Sequence, residues 1–192
     1  MADPETLKHP PQRLPRHPLP GDRGADIASM LRVDQAGEYG AARIYSGQLA
    51  VMGNRHPDSA EIARMRAQEQ HHLDVFNRMV VERGVRPTAL APFWHVAGYA
   101  LGAATALMGP RAAMACTAAV ETEIDRHYAE QAEALGDSDP EFKARIEEFA
   151  AEEREHRATA IAHGAEQAPA YPLLSAAIRA GCRAAIAISK RI

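Results

Sequence analysis

Glu69-Gln70-His71-His72 and Glu153-Arg154-Glu155-His156 are the two places in this chain where histidine follows glutamate by three positions. On a helix that offset puts both side chains on one face, and each tetrad lies in a stretch with helical patterning. Upstream of each stands a glutamate in apolar surroundings: Glu38 in AGEYGAARI and Glu121 in TAAVETEI. Glu38 precedes Glu69 by 31 positions, and Glu121 precedes Glu153 by 32. The chain therefore repeats a helix pair, with Glu on its first helix and Glu-x-x-His on its second. A repeat of this kind is fold information.

Four antiparallel helices can turn all six groups inward, which is the ligand set of ferritin-like di-iron and di-manganese bundles. Two adjacent multivalent cations need several anionic oxygens, some of them shared, and imidazole nitrogens suit iron better than magnesium or calcium. The expected roles are Glu69 and Glu153 as bridges, Glu38 and Glu121 as terminal carboxylates, and His72 and His156 as one nitrogen ligand per metal. A single Glu-x-x-His is ordinarily a pair of solvated side chains. Two matching half-sites argue otherwise, because Glu38 and Glu121 lie among Ala, Gly, Val and Ile, where an unpaired carboxylate is costly. Without cations, four inward carboxylates would repel one another and take up protons.

Neighbouring residues carry weaker signals. Glu61, Glu147, Glu148 and Glu152 read as surface acids, His71 as solvated, and Met30, Met65, Met79 and Met114 as core. Asp34, one turn before Glu38, either orients a ligand histidine or is a surface acid. His127 and Tyr128 lie six and seven positions beyond Glu121. They either deliver electrons or protons to the centre or form a packed core pair.

Glycine and proline punctuation divides the rest of the chain. Helices are predicted over 25–52, from Pro57-Asp58-Ser59 to about Arg83, over 93–108, from 111 to Leu135, and from the Asp139 cap to about Gly164. A last helix follows Pro169 and Pro172. No strand or hairpin pattern is present, so the expected fold is all-α: a four-helix bundle plus a short apolar helix and a C-terminal amphipathic helix. Six of the 13 prolines fall in the first twenty residues. Residues 1–24 are therefore expected to be a flexible lead-in, with 25–192 as one helical domain.

The chain has 192 residues and a formal net charge of −3, which excludes a basic nucleic-acid binder. Cys116 and Cys182 form no CxxC or disulfide pattern. No secretory h-region precedes the first helix, and Asp3 and Glu5 are unlike a mitochondrial transit peptide. Between Thr88 and Pro110 there is no formal charge, but the 93–108 helix is shorter than the roughly 20 residues that span a bilayer. In the last helix Arg179, Arg183 and Lys190 share one face, and Leu174, Ile178, Gly181, Ala185, Ile188 and Ile192 line another. Such a helix either lies in a membrane interface or closes the core with solvated arginines.

The segments MLRVDQAGEYGAARIYSGQ (30–48), QEQHHLDVFN (68–77) and RPTALAPFWHVAGYALGAATALMG (86–109) together resemble the demethoxyubiquinone hydroxylase family. So do AMACTAAVETEI (113–124), EEREHRATAIAHGAEQAPAY (152–171) and AGCRAAIAISKRI (180–192). The resemblance runs from about Ala25 to Ile192. It implies a non-haem di-iron monooxygenase of ubiquinone biosynthesis, with two Fe ions, O2 as co-substrate and an external reductant such as NADH. It implies iron ligation by Glu38, Glu69, His72, Glu121, Glu153 and His156, and a part for His127 in reduction of the centre. Its implied partners are a polyprenyl quinone, the lipid surface, other ubiquinone-biosynthesis proteins and further copies of itself. The short lead-in resembles bacterial members, which implies a peripheral position on the cytoplasmic face of the cell membrane. Members of the family often carry His where Gln35 stands and Asp where His71 stands. NADH would be used without a Rossmann site, since no Gly-rich fingerprint follows a strand. Other readings of the same ligand set are an iron-storage ferroxidase, a rubrerythrin-like peroxide scavenger and a metal-free adaptor. The scavenger lacks cysteine pairs for a rubredoxin iron.

Overall fold

The computed structural model describes residues 26–191. The lead-in expected over 1–24, and Ile192 at the end of the predicted apolar face, lie outside the described residues.

Asp26 starts the first helix, α1 (Ile27–Met52), by accepting from the Ser29 amide at 2.9 Å, and Gly53, in the left-handed region at φ 69°, ends it. Helix α2 (Ser59–Glu82) returns alongside it. Helix α3 (Ala91–Leu107) carries Pro92 in its first turn, so the proline opens the apolar helix. Pro110 does the same for α4 (Pro110–Leu135), and Pro140 for α5 (Pro140–Ala162), where Asp139 accepts from the Phe142 amide at 3.1 Å. A 3₁₀ turn (Ala165–Gln167), which the sequence pattern did not announce, leads to α6 (Tyr171–Ser189). The described residues form helices and no strand.

Helices α1 and α2 form one pair and α4 and α5 the other, and the four make the bundle. Helix α3 packs on α1, and α6 on α4. The α1–α3 contact is a close backbone crossing. A Cβ on Gly102 would stand 1.9 Å from the Ile44 carbonyl oxygen, and one on Gly47 would stand 2.2 Å from that of Tyr99. The α4–α6 contact adds charge to apolar packing of Leu174 and Ile178 with Cys116, Ala119 and Val120. Glu123, fully buried, accepts from Arg179 Nε at 2.7 Å and Arg183 Nη1 at 2.8 Å. Two arginines of the basic face thus reach the bundle while staying more than 40% exposed. A buried carboxylate without partners would be costly.

Two apolar layers fill the bundle. Leu31, Phe76, Tyr128, Phe142, Ile146 and Phe149 form one, and Tyr45, Ile62, Met65, Met114, Ala115 and Ala160 the other. Along each of the four helices, the Glu and His residues of the repeated pattern fall between a member of the first layer and a member of the second. Hydrophobic burial above and below therefore holds a polar layer at mid-bundle that would not be stable there alone.

Candidate metal centre

Glu38, Glu69, His72, Glu121, Glu153 and His156 are each no more than 1% exposed, so all six point inward. They fall into two overlapping groups: Glu38, Glu69, His72 and Glu153 in one, and Glu69, Glu121, Glu153 and His156 in the other. Within each, the candidate ligand atoms lie within 4.8 Å of one another. Glu69 and Glu153 belong to both groups.

The histidines present Nδ1 to the cluster. His72 Nδ1 is 3.3 Å from Glu38 Oε2 and 3.1 Å from Glu153 Oε1, and His156 Nδ1 is 3.0 Å from Glu69 Oε1. Both Glu69 oxygens, Glu121 Oε2 and Glu153 Oε1 are buried without a well-angled hydrogen bond among the described residues. Buried oxygens of this kind fit cations. Burial, reinforced by the neighbouring carboxylates, pushes the Glu69 and Glu121 carboxyls well above their ordinary range. Burial would also raise Glu153, but the hydrogen bond from His156 and the close approach of His72 Nδ1 outweigh it and hold that carboxyl low. Cations seated among these oxygens would remove the repulsion that protons otherwise relieve.

Each terminal carboxylate is held by a tyrosine from the other helix pair. Tyr45 donates to Glu121 Oε1 at 2.8 Å, and Tyr128 donates to Glu38 Oε1. Tyr45 follows Glu38 by seven positions and Tyr128 follows Glu121 by seven. Aligning the two repeats would have found Tyr45, which the Glu and His pattern passed over. Burial and the facing glutamates push both phenols well above their ordinary pKa, which keeps them as donors.

Two further residues escaped the sequence reading. Glu152, read as a surface acid, places Oε2 2.6 Å from His72 Nε2. Gln68 places Oε1 3.1 Å from His156 Nε2 and donates from Nε2 to Glu152 at 3.3 Å. Each immediately precedes a Glu-x-x-His tetrad, and that shared register was the available signal. Asp34 differs from both of its expected readings. It is buried, and it accepts from Gln131 at 2.8 Å and lies 3.4 Å from His127 Nε2, away from either cluster histidine. His127 and Tyr128 are both buried, with their rings 6.4 Å apart, so Tyr128 touches the cluster through Glu38 while His127 stands behind it. His71 is exposed, as expected.

An apolar cavity of about 590 Å³ runs beside the centre between α1, α3, α4 and α6. Its wall includes Gly37 and Ala41 on either side of Glu38 in sequence, and Val120 next to Glu121. Leu174, Ile178, Gly181 and Ala185, most of the apolar face predicted for the last helix, line this cavity.

Fold and site define an all-α bundle protein with a buried carboxylate–histidine layer able to seat two cations beside an apolar cavity. A family profile titled "Ubiquinone biosynthesis protein COQ7" matches residues 25–189. The chain is 54% identical to the 3-demethoxyubiquinol 3-hydroxylase of Rhodospirillum rubrum over 180 residues, 94% of this chain and 84% of the relative. It is 49% identical to the human mitochondrial NADPH-dependent 3-demethoxyubiquinone 3-hydroxylase, covering 88% and 79%. It is 38% identical to the mitochondrial 5-demethoxyubiquinone hydroxylase of Saccharomyces cerevisiae, covering 95% and 85%. The chain belongs to the demethoxyubiquinone hydroxylase family.

Proposed function

We propose that this protein hydroxylates the ring of a polyprenylated demethoxy-benzoquinone, or its quinol, with O2 in ubiquinone biosynthesis. The observation that carries the proposal is the pair of buried four-residue groups sharing Glu69 and Glu153 at mid-bundle. Two irons held by Glu38, Glu69, His72, Glu121, Glu153 and His156 would supply the redox and Lewis-acid chemistry that activates O2. The protein's own contribution is geometric. Tyr45 and Tyr128 orient the terminal carboxylates, Glu152 and Gln68 hold the histidine rings, and the two apolar layers exclude water. The cavity offers a ring and the start of a polyprenyl tail a path beside Glu38 and Glu121.

His127 and Tyr128 are proposed to deliver electrons or protons. Tyr128 bonds to Glu38, and His127 borders a surface depression flanked by Arg126, Arg183, Lys190 and Arg191. The human relative's name specifies NADPH, and a nicotinamide nucleotide is the proposed reductant here.

A substrate with a lipid tail must be met at a membrane, so the reading includes a peripheral position on the cytoplasmic face of a bacterial membrane. Phe93, Val96, Leu107 and Met108 near α3, and Leu173 and Ile188 on α6, are large apolar side chains left exposed. Helix α6 is apolar and long enough, at 19 residues, to cross a membrane by composition alone. Its Arg179 and Arg183 are bound to Glu123 of α4, however, which favours a helix lying against the bundle. Leu173→Asp combined with Ile188→Asp should weaken co-sedimentation with vesicles while metal content is retained. Ile178 is unsuited to that test because it is buried.

The function itself is tested by reducing the iron-loaded protein without O2, then adding O2 and a demethoxy-quinone analogue. A quinone heavier by one oxygen supports the proposal. Oxidised iron with an unchanged quinone would favour a ferroxidase instead.

A further inference from the structure

The two cation positions are matched in their inner ligands but unmatched one bond further out. Each has a terminal glutamate with one tyrosine donor, the same two shared glutamates, and one histidine facing inward through Nδ1. A histidine that binds a cation through Nδ1 keeps its proton on Nε2, and the acceptor of that proton governs how strongly the ring donates. At His72 the acceptor is the Glu152 carboxylate at 2.6 Å. At His156 it is the neutral Gln68 amide oxygen at 3.1 Å, which already accepts from Arg64 Nη1 at 2.5 Å. Anionic charge thus backs one ring, while a guanidinium-polarised amide backs the other. Packing reinforces the difference. Phe149 stacks on His72 with centroids 4.0 Å apart and planes at 23°, whereas His156 meets Tyr45 edge-on at 6.4 Å.

Resting on the metal-centre reading above, we infer that Glu152 and Gln68 are positioning residues that make the two sites unequal. The site of Glu38, Glu69, His72 and Glu153 fills first and holds its cation more tightly than the site of Glu69, Glu121, Glu153 and His156. A carboxylate acceptor behind a ligand histidine is associated with roughly 10–100-fold in metal affinity, enough to separate two binding steps. The hydrogen bond from Gln68 Nε2 to Glu152 joins the two outer partners, so a change at either position reaches both rings.

The test uses Co(II), a redox-silent probe, added without O2 to the metal-free full-length protein and followed by calorimetry and the visible cobalt bands. Crystals carrying one equivalent then locate the ion by anomalous scattering. The expected result is two steps separated by about 10–100-fold, with the first cobalt beside His72. Glu152→Gln should draw the first affinity down towards the second, and Gln68→Glu should raise the second. The double exchange, Glu152→Gln with Gln68→Glu, should move the first cobalt to His156. A purely structural role for these residues would not reverse the order. Two cobalts bound with equal affinity, a first cobalt beside His156 in the unaltered protein, or variants that leave the order unchanged would each overturn the inference while leaving the metal centre intact. No cobalt bound at all would overturn both.

Discussion

The α1–α2 half and the α4–α5 half present the same groups in the same register. Each has Glu on its first helix, Tyr seven positions later, and Glu-x-x-His on its second. They differ in how they are clad. The first half is covered by α3 through a glycine-lined crossing, and the second by α6 through arginines on a buried glutamate. The matched elements are the buried groups able to seat cations, where two cations would impose the same demand twice. The unmatched ones face the cavity, the surface and the outer side of the histidines, where no such demand acts twice.

The largest expected effect comes from the shared carboxylates. Glu153→Ala or Glu69→Ala removes an oxygen donor from both sites, so bound iron should fall at both and hydroxylation by more than about 100-fold, beyond what loss of an outer partner costs. Glu38→Ala and Glu121→Ala each strip one site only. Iron analysis together with quinone turnover would show whether the halves are coupled through Glu69 and Glu153.

The claddings should differ in kind. Gly102→Ala drives a methyl into the Ile44 carbonyl and should cost about 2 kcal/mol through overpacking, read as a lower urea midpoint. Glu123→Ala should cost less, about 1–2 kcal/mol, because Arg179 and Arg183 are more than 40% exposed and can rehydrate. Its signature would be faster proteolysis within α6 than within α3.

The tyrosines separate support from delivery. Tyr45→Phe and Tyr128→Phe each remove one hydrogen bond to a terminal carboxylate and should cost about 1 kcal/mol in stability. If delivery runs through His127 and Tyr128, Tyr128→Phe should also slow anaerobic reduction of the centre by about 100-fold, the low end of the range for positioned proton transfer. Tyr45→Phe should leave that rate unchanged, and equal rates in stopped-flow reduction would remove the delivery role.

The smallest effect lies at the helix starts. Asp139 caps α5 through its side chain, while Asp58 at the start of α2 makes no such bond and instead lies 2.8 Å from His163 Nδ1. Asp139→Ala should therefore cost about 1 kcal/mol and the loss of Asp58 less. Burial would raise the Asp139 carboxyl, but Arg83 and the Phe142 amide outweigh it and hold it below its usual 3.8. Its contribution is thus present above pH 3.8 and lost as pH falls through the lower folded value. Acid unfolding of the variant should show a shallower loss than the parent over that range.

The helices and the six converging residues were legible in the sequence because helical period and ligand spacing are local properties. A three-residue offset and a cap-and-glycine boundary mean the same in any tertiary setting. Glu152 and Asp34 were misread because each has an ordinary surface sequence context. Their partners, His72 and His127, lie 80 and 93 positions away, and no local pattern encodes such a pairing. The carboxylate that pairs with the basic face of α6 was out of reach for a similar reason. Periodicity shows that Arg179 and Arg183 share a side, but the carboxylate opposite them sits on α4. By itself the sequence determined that the chain is helical, that it repeats, and that it carries two Glu-x-x-His helices matched to two apolar-flanked glutamates. Only the packed bundle decided which tyrosine supports which carboxylate, which acceptor stands behind each histidine, and that the apolar side of α6 walls a cavity. Those outcomes depend on distances between helices, which the chain sets only when its apolar layers close.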